Sequence, residues 1–154
     1  MNNSEVKVIV FHLNNETYGV PIKQVISIER MQHITRVPHI SDVVKGVMNL
    51  RGAIIPVIDM QKRFKMGEGK EIGETRIIIV ESDDITVGLM VDKANVVAEI
   101  QSEAIGETPE IVGGLEAEYI IGIAKWQNDD LLILLNLQRV LTNEELEIVK
   151  QIEV

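Results

Sequence analysis

The chain reads twice. Val8-Ile9-Val10-Phe11, a polar stretch Asn14-Asn15-Glu16-Thr17 and then Tyr18-Gly19-Val20 can be laid on Ile77-Ile78-Ile79-Val80, Asp83-Asp84-Ile85-Thr86 and Val87-Gly88-Leu89 at a constant offset of 69. Each copy alternates an apolar strand, a tight polar turn and a second strand, which is the signature of a hairpin. A second match lays Ile55-Pro56-Val57-Ile58-Asp59-Met60-Gln61-Lys62-Arg63-Phe64 on Leu132-Ile133-Leu134-Leu135-Asn136-Leu137-Gln138-Arg139-Val140-Leu141 at an offset of 77. An inserted loop supplies the difference of 8. Two matches in the same order favour a duplicated β unit over chance likeness between apolar strands.

Composition agrees with sheet. Ile (23) and Val (19) far outnumber Leu (11), while aromatic residues make up only 3% of the chain. β-Branched side chains are stiff at χ1 and pack well on a pleated surface. The first half reads as strands near 6–13, 16–22, 33–37, 46–51 and 54–59, with a short helical or irregular piece at 22–28. The second reads as strands near 75–82, 85–91, 95–100, 119–126 and 131–136. Gln61–Phe64 reads as one helical turn. Thr142-Asn143-Glu144-Glu145, a capping-box pattern ahead of Leu146, Val149 and Ile152, predicts a C-terminal helix over 143–152. Lys65–Thr75, rich in glycine and charge, is the internal linker. The expected architecture is therefore all-β with short helices: two small barrels of about five strands, 6–70 and 71–141.

Net charge is −9, but residues 1–70 carry 10 basic and 6 acidic side chains (+4) and residues 71–154 carry 5 and 18 (−13). So acidic a chain is a poor general nucleic-acid binder. Solvated surface and a partner-facing bias both account for the split. The longest apolar run, Ala53–Ile58, falls far short of the ~18 residues of a membrane span, so no membrane insertion is expected. MNNSEVKV has neither an apolar core nor a cleavage site for export. With no cysteine in the chain, disulfides, thiolate zinc sites and cysteine nucleophiles are excluded, and a reducing cytoplasm fits.

No catalytic constellation stands out. His12, His33 and His39 lack metal-ligand spacing and a paired carboxylate motif. Ser4, Ser27, Ser41, Ser82 and Ser102 lack a G-x-S-x-G context. Gly67-x-Gly69-x-x-x-Gly73 misses the dinucleotide spacing by one residue and has no strand–turn–helix around it. Asp83-Asp84 and Asn128-Asp129-Asp130 sit where hairpins must turn. No cofactor, metal or enzymatic activity is expected. What remains is apolar surface, since two small barrels have a high surface-to-volume ratio and must expose some Ile and Val or line a groove with them. A protein-binding module is the leading reading, and a small β-barrel enzyme or ligand carrier is the alternative.

One segment carries a resemblance. Gly46-Val47-Met48-Asn49-Leu50-Arg51-Gly52-Ala53-Ile54-Ile55-Pro56-Val57-Ile58-Asp59 resembles the G-V-x-N-L-R-G-x-x-x-P-x-x-D hallmark of the CheW-like family of bacterial chemotaxis coupling proteins. Weaker likeness runs through Phe11-x-Leu13, Tyr18-Gly19-Val20-x-Ile22, Val25, Ile34-Thr35-Arg36-Val37-Pro38 and Val87-Gly88-Leu89-x-Val91-Asp92, so that residues 6 to about 148 are covered.

The resemblance implies two intertwined five-stranded SH3-like barrels and a non-catalytic adaptor. Such an adaptor links chemoreceptors to the histidine kinase CheA. Its partners would be the CheA regulatory domain, in rings formed through barrel ends, and the receptor's helical-hairpin tip, in a groove between barrels. Weak self-association in arrays belongs to the same picture, as does a cytoplasmic location recruited to membrane receptors through partners. Carried over by position, the receptor groove comprises Ile22, Val25, Ile28, Val96 and Val97. Arg51 is its polar member, either in contact with the receptor or held in a structural ion pair or loop anchor. Many relatives have a glutamate where this chain has Ser27. Glu29 substitutes for it if the segment is a strand, because two residues along a strand keep the same face. Gly46, Gly52 and Gly88 are expected to serve the backbone. Asn49, Pro56 and Asp59 complete the motif, and Asp92 holds a turn or meets a partner.

Overall fold

The computed structural model of the chain describes residues 5–37, 42–67, 73–82, 84–106, 111–112, 115–116, 119–126 and 130–140. The chain is mainly β. Strand β1 (Glu5–Leu13) turns through Asn14 and Asn15, both at positive φ, into β2 (Glu16–Pro21). A 3-10 turn, Ile22–Gln24, then leads into β3 (Val25–Arg30). Strands β4 (Val44–Leu50) and β5 (Ala53–Asp59) form the next hairpin, and the short helix α1 (Met60–Arg63) follows. The second half opens with β6 (Arg76–Ser82) and β7 (Ile85–Val91), then β8 (Lys93–Gln101). A two-residue pair, β9 (Ile111–Val112) and β10 (Leu115–Glu116), precedes β11 (Ile120–Lys125), β12 (Leu131–Leu135) and the short helix α2 (Leu137–Val140).

These strands make two five-stranded sheets, ordered β11-β12-β2-β1-β8 and β3-β6-β7-β5-β4. The division departs from one barrel per sequence half. The first sheet takes β1 and β2 from residues 6–70 and three strands from 71–141, and the second takes β3, β4 and β5 from the first half and two strands from the second. The exchange runs through four pairings between the halves, β1–β8 and β3–β6 antiparallel and β5–β7 and β2–β12 parallel, none of which a local hairpin supplies;. Val57 stands opposite Gly88 between β5 and β7, and Leu134 stands opposite Gly19 between β12 and β2. Those two pairs are images of each other under the offsets 77 and 69, so the duplication extends to register.

The core has three parts, and alternation along the strands assigns residues to them. Val8, Val10, Leu132 and Leu134 enter an apolar cluster belonging to the first sheet, with Ala98, Ile100 and Ala124. Ile77, Ile79, Ile55 and Val57 enter the second sheet's own cluster, with Met48 and Met90. The intervening residues, Ile9, Phe11, Leu13, Ile78, Val80, Ile58, Ile133 and Leu135, all point into one cluster shared by the sheets. Central strands are thus apolar on both faces, which accounts for the Ile and Val excess. All four Phe and Tyr rings meet in the shared core: Phe11 stacks on Tyr18, Tyr18 on Phe64, and Phe64 packs tilted on Tyr119, at centroid separations of 5.6, 6.0 and 5.7 Å.

Three expectations change in detail. The stretch 33–37 reaches β4 only through one pair of hydrogen bonds between Thr35 and Val47, without extending into a strand. The piece at 22–28 divides into a 3-10 turn and the start of β3. The helical turn begins at Met60, because the Asp59 carboxylate accepts from the Lys62 N–H and caps it;. Asn136, the repeat image of Asp59, accepts from the Gln138 N–H at the head of α2. The helix expected over 143–152, together with Pro38, His39 and Asp83, lies outside the described residues.

Candidate functional site

Among the described residues, five of the seven exposed large apolar side chains, Ile26, Ile28, Val96, Val97 and Ile121, lie on edge strands, while Ile54 on β5 and Leu131 on β12 do not. β3 and β8 are edge strands, one in each sheet. Ile28 on β3 stands opposite Ile78, and Val97 on β8 stands opposite Ile9. Directly opposed residues share a sheet face, so Ile28 and Val97 lie on the shared-core side of their sheets. They remain 37% and 54% exposed. They are also repeat images, at the offset 69 that relates Ile9 to Ile78. Ile22 and Val25 are half-buried against the same shared core. Val96, opposite Val10, lies on the other face of β8. Five candidate positions therefore divide: Ile22, Val25, Ile28 and Val97 border the shared core, and Val96 turns away from it. Ile26, 57% exposed and next to the bulge in β3, was not singled out in the sequence; only its place one residue from Val25 marks it.

Arg51 sits at the tip of the β4–β5 hairpin. Leu50 pairs with Ala53, so Arg51 and Gly52 form a two-residue loop, and both have positive φ (52° and 89°). That is the turn whose twist matches flanking strands. The Asn49 side chain accepts from the Gly52 N–H at 2.8 Å and clamps it. The Arg51 guanidinium reaches Glu29 at 3.6 Å, with Glu29 14% and Arg51 74% exposed. Ser27 and Glu29 stand opposite Ile79 and Ile77, on one face of β3, so the carboxylate that meets Arg51 lies on the face that Ser27 shares. The Ser27 hydroxyl is buried without a hydrogen-bond partner.

The other motif positions serve the backbone. A Cβ on Gly46 would lie 2.3 Å from the Thr35 carbonyl oxygen, and one on Gly88 2.6 Å from the Ile77 Cγ2. Pro56, which has no N–H to donate, immediately precedes the first β5 residue in register with β7. Asp92 holds a turn: one carboxylate oxygen accepts from the Asn14 N–H at 2.8 Å, the other from the Gln61 side chain at 2.5 Å. Burial, with the Glu16 carboxylate that accepts from its hydroxyl, pushes the Tyr18 phenol well above the ordinary tyrosine range. Among the described residues, no group of three or more His, Asp or Glu side chains is placed to hold a metal ion.

Two interlocked β sheets with a shared core and an apolar face bordering it define a protein-binding module. The model of the CheW-like domain matches residues 7–145. The chain belongs to that family, a family of non-catalytic chemotaxis scaffolds. It is 39% identical to the chemotaxis protein CheW of Bacillus subtilis (strain 168) over 140 residues, covering 90% of this chain and 88% of that one. It is 32% identical to CheW of Klebsiella aerogenes, covering 94% and 86%. The scaffolding protein TtCheW from Thermoanaerobacter tengcongensis superposes with a TM-score of 0.83 at 33% identity, over 94% of this chain and 92% of that one. Its function is that of a chemotaxis coupling scaffold, not an enzyme.

Proposed function

We propose that the chain couples chemoreceptors to the regulatory domain of the histidine kinase CheA, taking the receptor's helical-hairpin tip on the face that carries Ile28 and Val97. One observation carries this reading. Two large apolar side chains in repeat-related positions stay exposed on edge strands beside the shared core, where folding alone would favour polar residues;. A helix laying its apolar stripe there would bury both, the helix-in-groove mode of recognition. Ile22 and Val25 extend the face, and the Arg51 tip borders β3 through Glu29. Barrel ends meet the kinase domain, and weak self-association in arrays uses the same ends. The protein works in the cytoplasm and reaches the membrane through its partners. No helix among the described residues is long and apolar enough to cross a membrane.

The test is a binding assay against a receptor cytoplasmic fragment and the CheA regulatory domain, each alone and then together. Ile28→Asp and Val97→Asp, both at exposed positions, should leave the fold intact and abolish receptor capture while kinase-domain binding persists. Unchanged receptor capture by the folded variants removes this face from the site. Val25→Asp is a poorer probe, because Val25 packs against the shared core and a charge there also costs stability. Arg51→Glu should weaken at least one of the two partners; wild-type affinity for both makes the arginine a turn residue only.

A further inference from the structure

The two halves of this chain recognise each other through their sheets and not through the link between them. Of the eight strand pairings in the two sheets, four join strands of one half: β1–β2, β4–β5, β6–β7 and β11–β12. The other four, β1–β8, β2–β12, β3–β6 and β5–β7, join one half to the other. Alone, each half would keep two hairpins and a loose strand, and an isolated hairpin is marginal in water. The shared core draws on both halves too. Only one stretch of chain, 67–73, connects them. Every inter-half contact is therefore equally available to halves of different molecules.

We infer that this fold is a single-chain form of an exchanged dimer, so that a second copy of the chain can supply either half. Two chains would then trade halves and build two complete bodies, each with its own Ile28 and Val97. Exchange of identical elements is a low-cost route to dimers, since no new interface has to be made. The single-chain form is favoured at ordinary concentration because the covalent link holds the halves at an effective concentration of roughly millimolar.

The chain has no cysteine, which makes exchange readable. Lys7 on β1 and Glu99 on β8 are exposed and directly opposite each other, at a cross-strand separation suited to a disulfide. Full-length Lys7→Cys and Glu99→Cys chains are unfolded together, refolded over a concentration series into the hundreds of micromolar, and oxidised. The expected result is a disulfide between the two kinds of chain whose yield rises with concentration. Glu81→Cys in place of Glu99→Cys should give none, since Glu81 pairs with Thr86 on β7. A cross-link yield no higher than that control at every concentration overturns the inference. Deleting 68–72 is a second arm, which removes the intramolecular advantage. The shortened chains should refold as dimers at micromolar concentration, with the 7–99 disulfide in the mixed dimers, about half of the total at random pairing. A shortened chain that refolds as a monomer, or as a dimer that never forms the disulfide, also overturns it.

Discussion

Arg51 is held by turn geometry more than by charge. Its guanidinium is three-quarters exposed, and an ion pair with one solvated partner contributes at most about 1 kcal/mol. The hairpin depends on Gly52 at φ 89° and on the Asn49 clamp. Gly52→Ala should therefore destabilise by about 1–2 kcal/mol, since a Cβ is disfavoured at positive φ, whereas Arg51→Ala should stay within about 0.5 kcal/mol of wild type. Urea unfolding midpoints check both. Tyr18 gives a second test at this scale. Its phenol is raised in the folded protein and ordinary, near 10, when unfolded. Above that ordinary value the unfolded chain loses a proton that the folded chain keeps, so stability is full below pH 10 and falls as pH rises beyond it. Tyr18→Phe keeps the stack between Phe11 and Phe64 and should flatten this alkaline loss, read as the difference in urea midpoint between pH 8 and pH 11.

At the level of elements, what was legible in the sequence is what depends on neighbours along the chain. Asn14-Asn15 and Arg51-Gly52 turn where polar residues and glycine interrupt apolar runs, and the hairpins follow from them. The offsets 69 and 77 exposed the repeat. Which hairpin lies beside which was not legible, because the parallel pairs Val57–Gly88 and Leu134–Gly19 join residues far apart in sequence. Alternation also could not show that β6 is buried on both faces, since a doubly buried strand has no polar side. The same limit applied to the candidate face. Ile28 and Val97 were legible as apolar positions, and alternation puts Val96 and Val97 on opposite faces, but which of those faces borders the shared core was not legible. The repeat predicts unequal costs at equivalent glycines. A Cβ at Gly88 would stand 2.6 Å from Ile77, while one at Gly19 would find its nearest neighbour, Val8, at 3.1 Å. Gly88→Ala should cost about 1–3 kcal/mol through overpacking and Gly19→Ala distinctly less, by urea midpoint. Ile78→Asp, with Ile78 fully buried in the shared core, should unfold the protein outright, seen as loss of the β signal in circular dichroism.

For the whole molecule, the charge split loses its meaning as a difference between barrels. Each sheet mixes both halves, and among the described residues the strands of the two sheets carry six acidic side chains (Glu5, Glu16, Glu29, Asp59, Glu81, Glu99) and six basic ones (Lys7, Arg30, Lys45, Arg76, Lys93, Lys125). The described strands of the two sheets are therefore neutral overall, and the acidic excess is not theirs. A stronger consequence concerns cooperativity. Two barrels folding separately from 6–70 and 71–141 could unfold one at a time, but neither sheet here can lose its partner half and survive, and the central cluster belongs to both. One unfolding transition is expected by every probe. Trp126, the only tryptophan, packs against the first sheet's own core, so its fluorescence reports that sheet alone. Ile79→Ala removes side-chain volume from the second sheet's own core, at a cost of roughly 2–5 kcal/mol. In a cooperative molecule this distant change lowers the urea midpoint of Trp126 fluorescence as far as it lowers that of circular dichroism. An unshifted Trp126 transition beside a shifted dichroism transition would mean that the sheets unfold independently despite their interlocked strands.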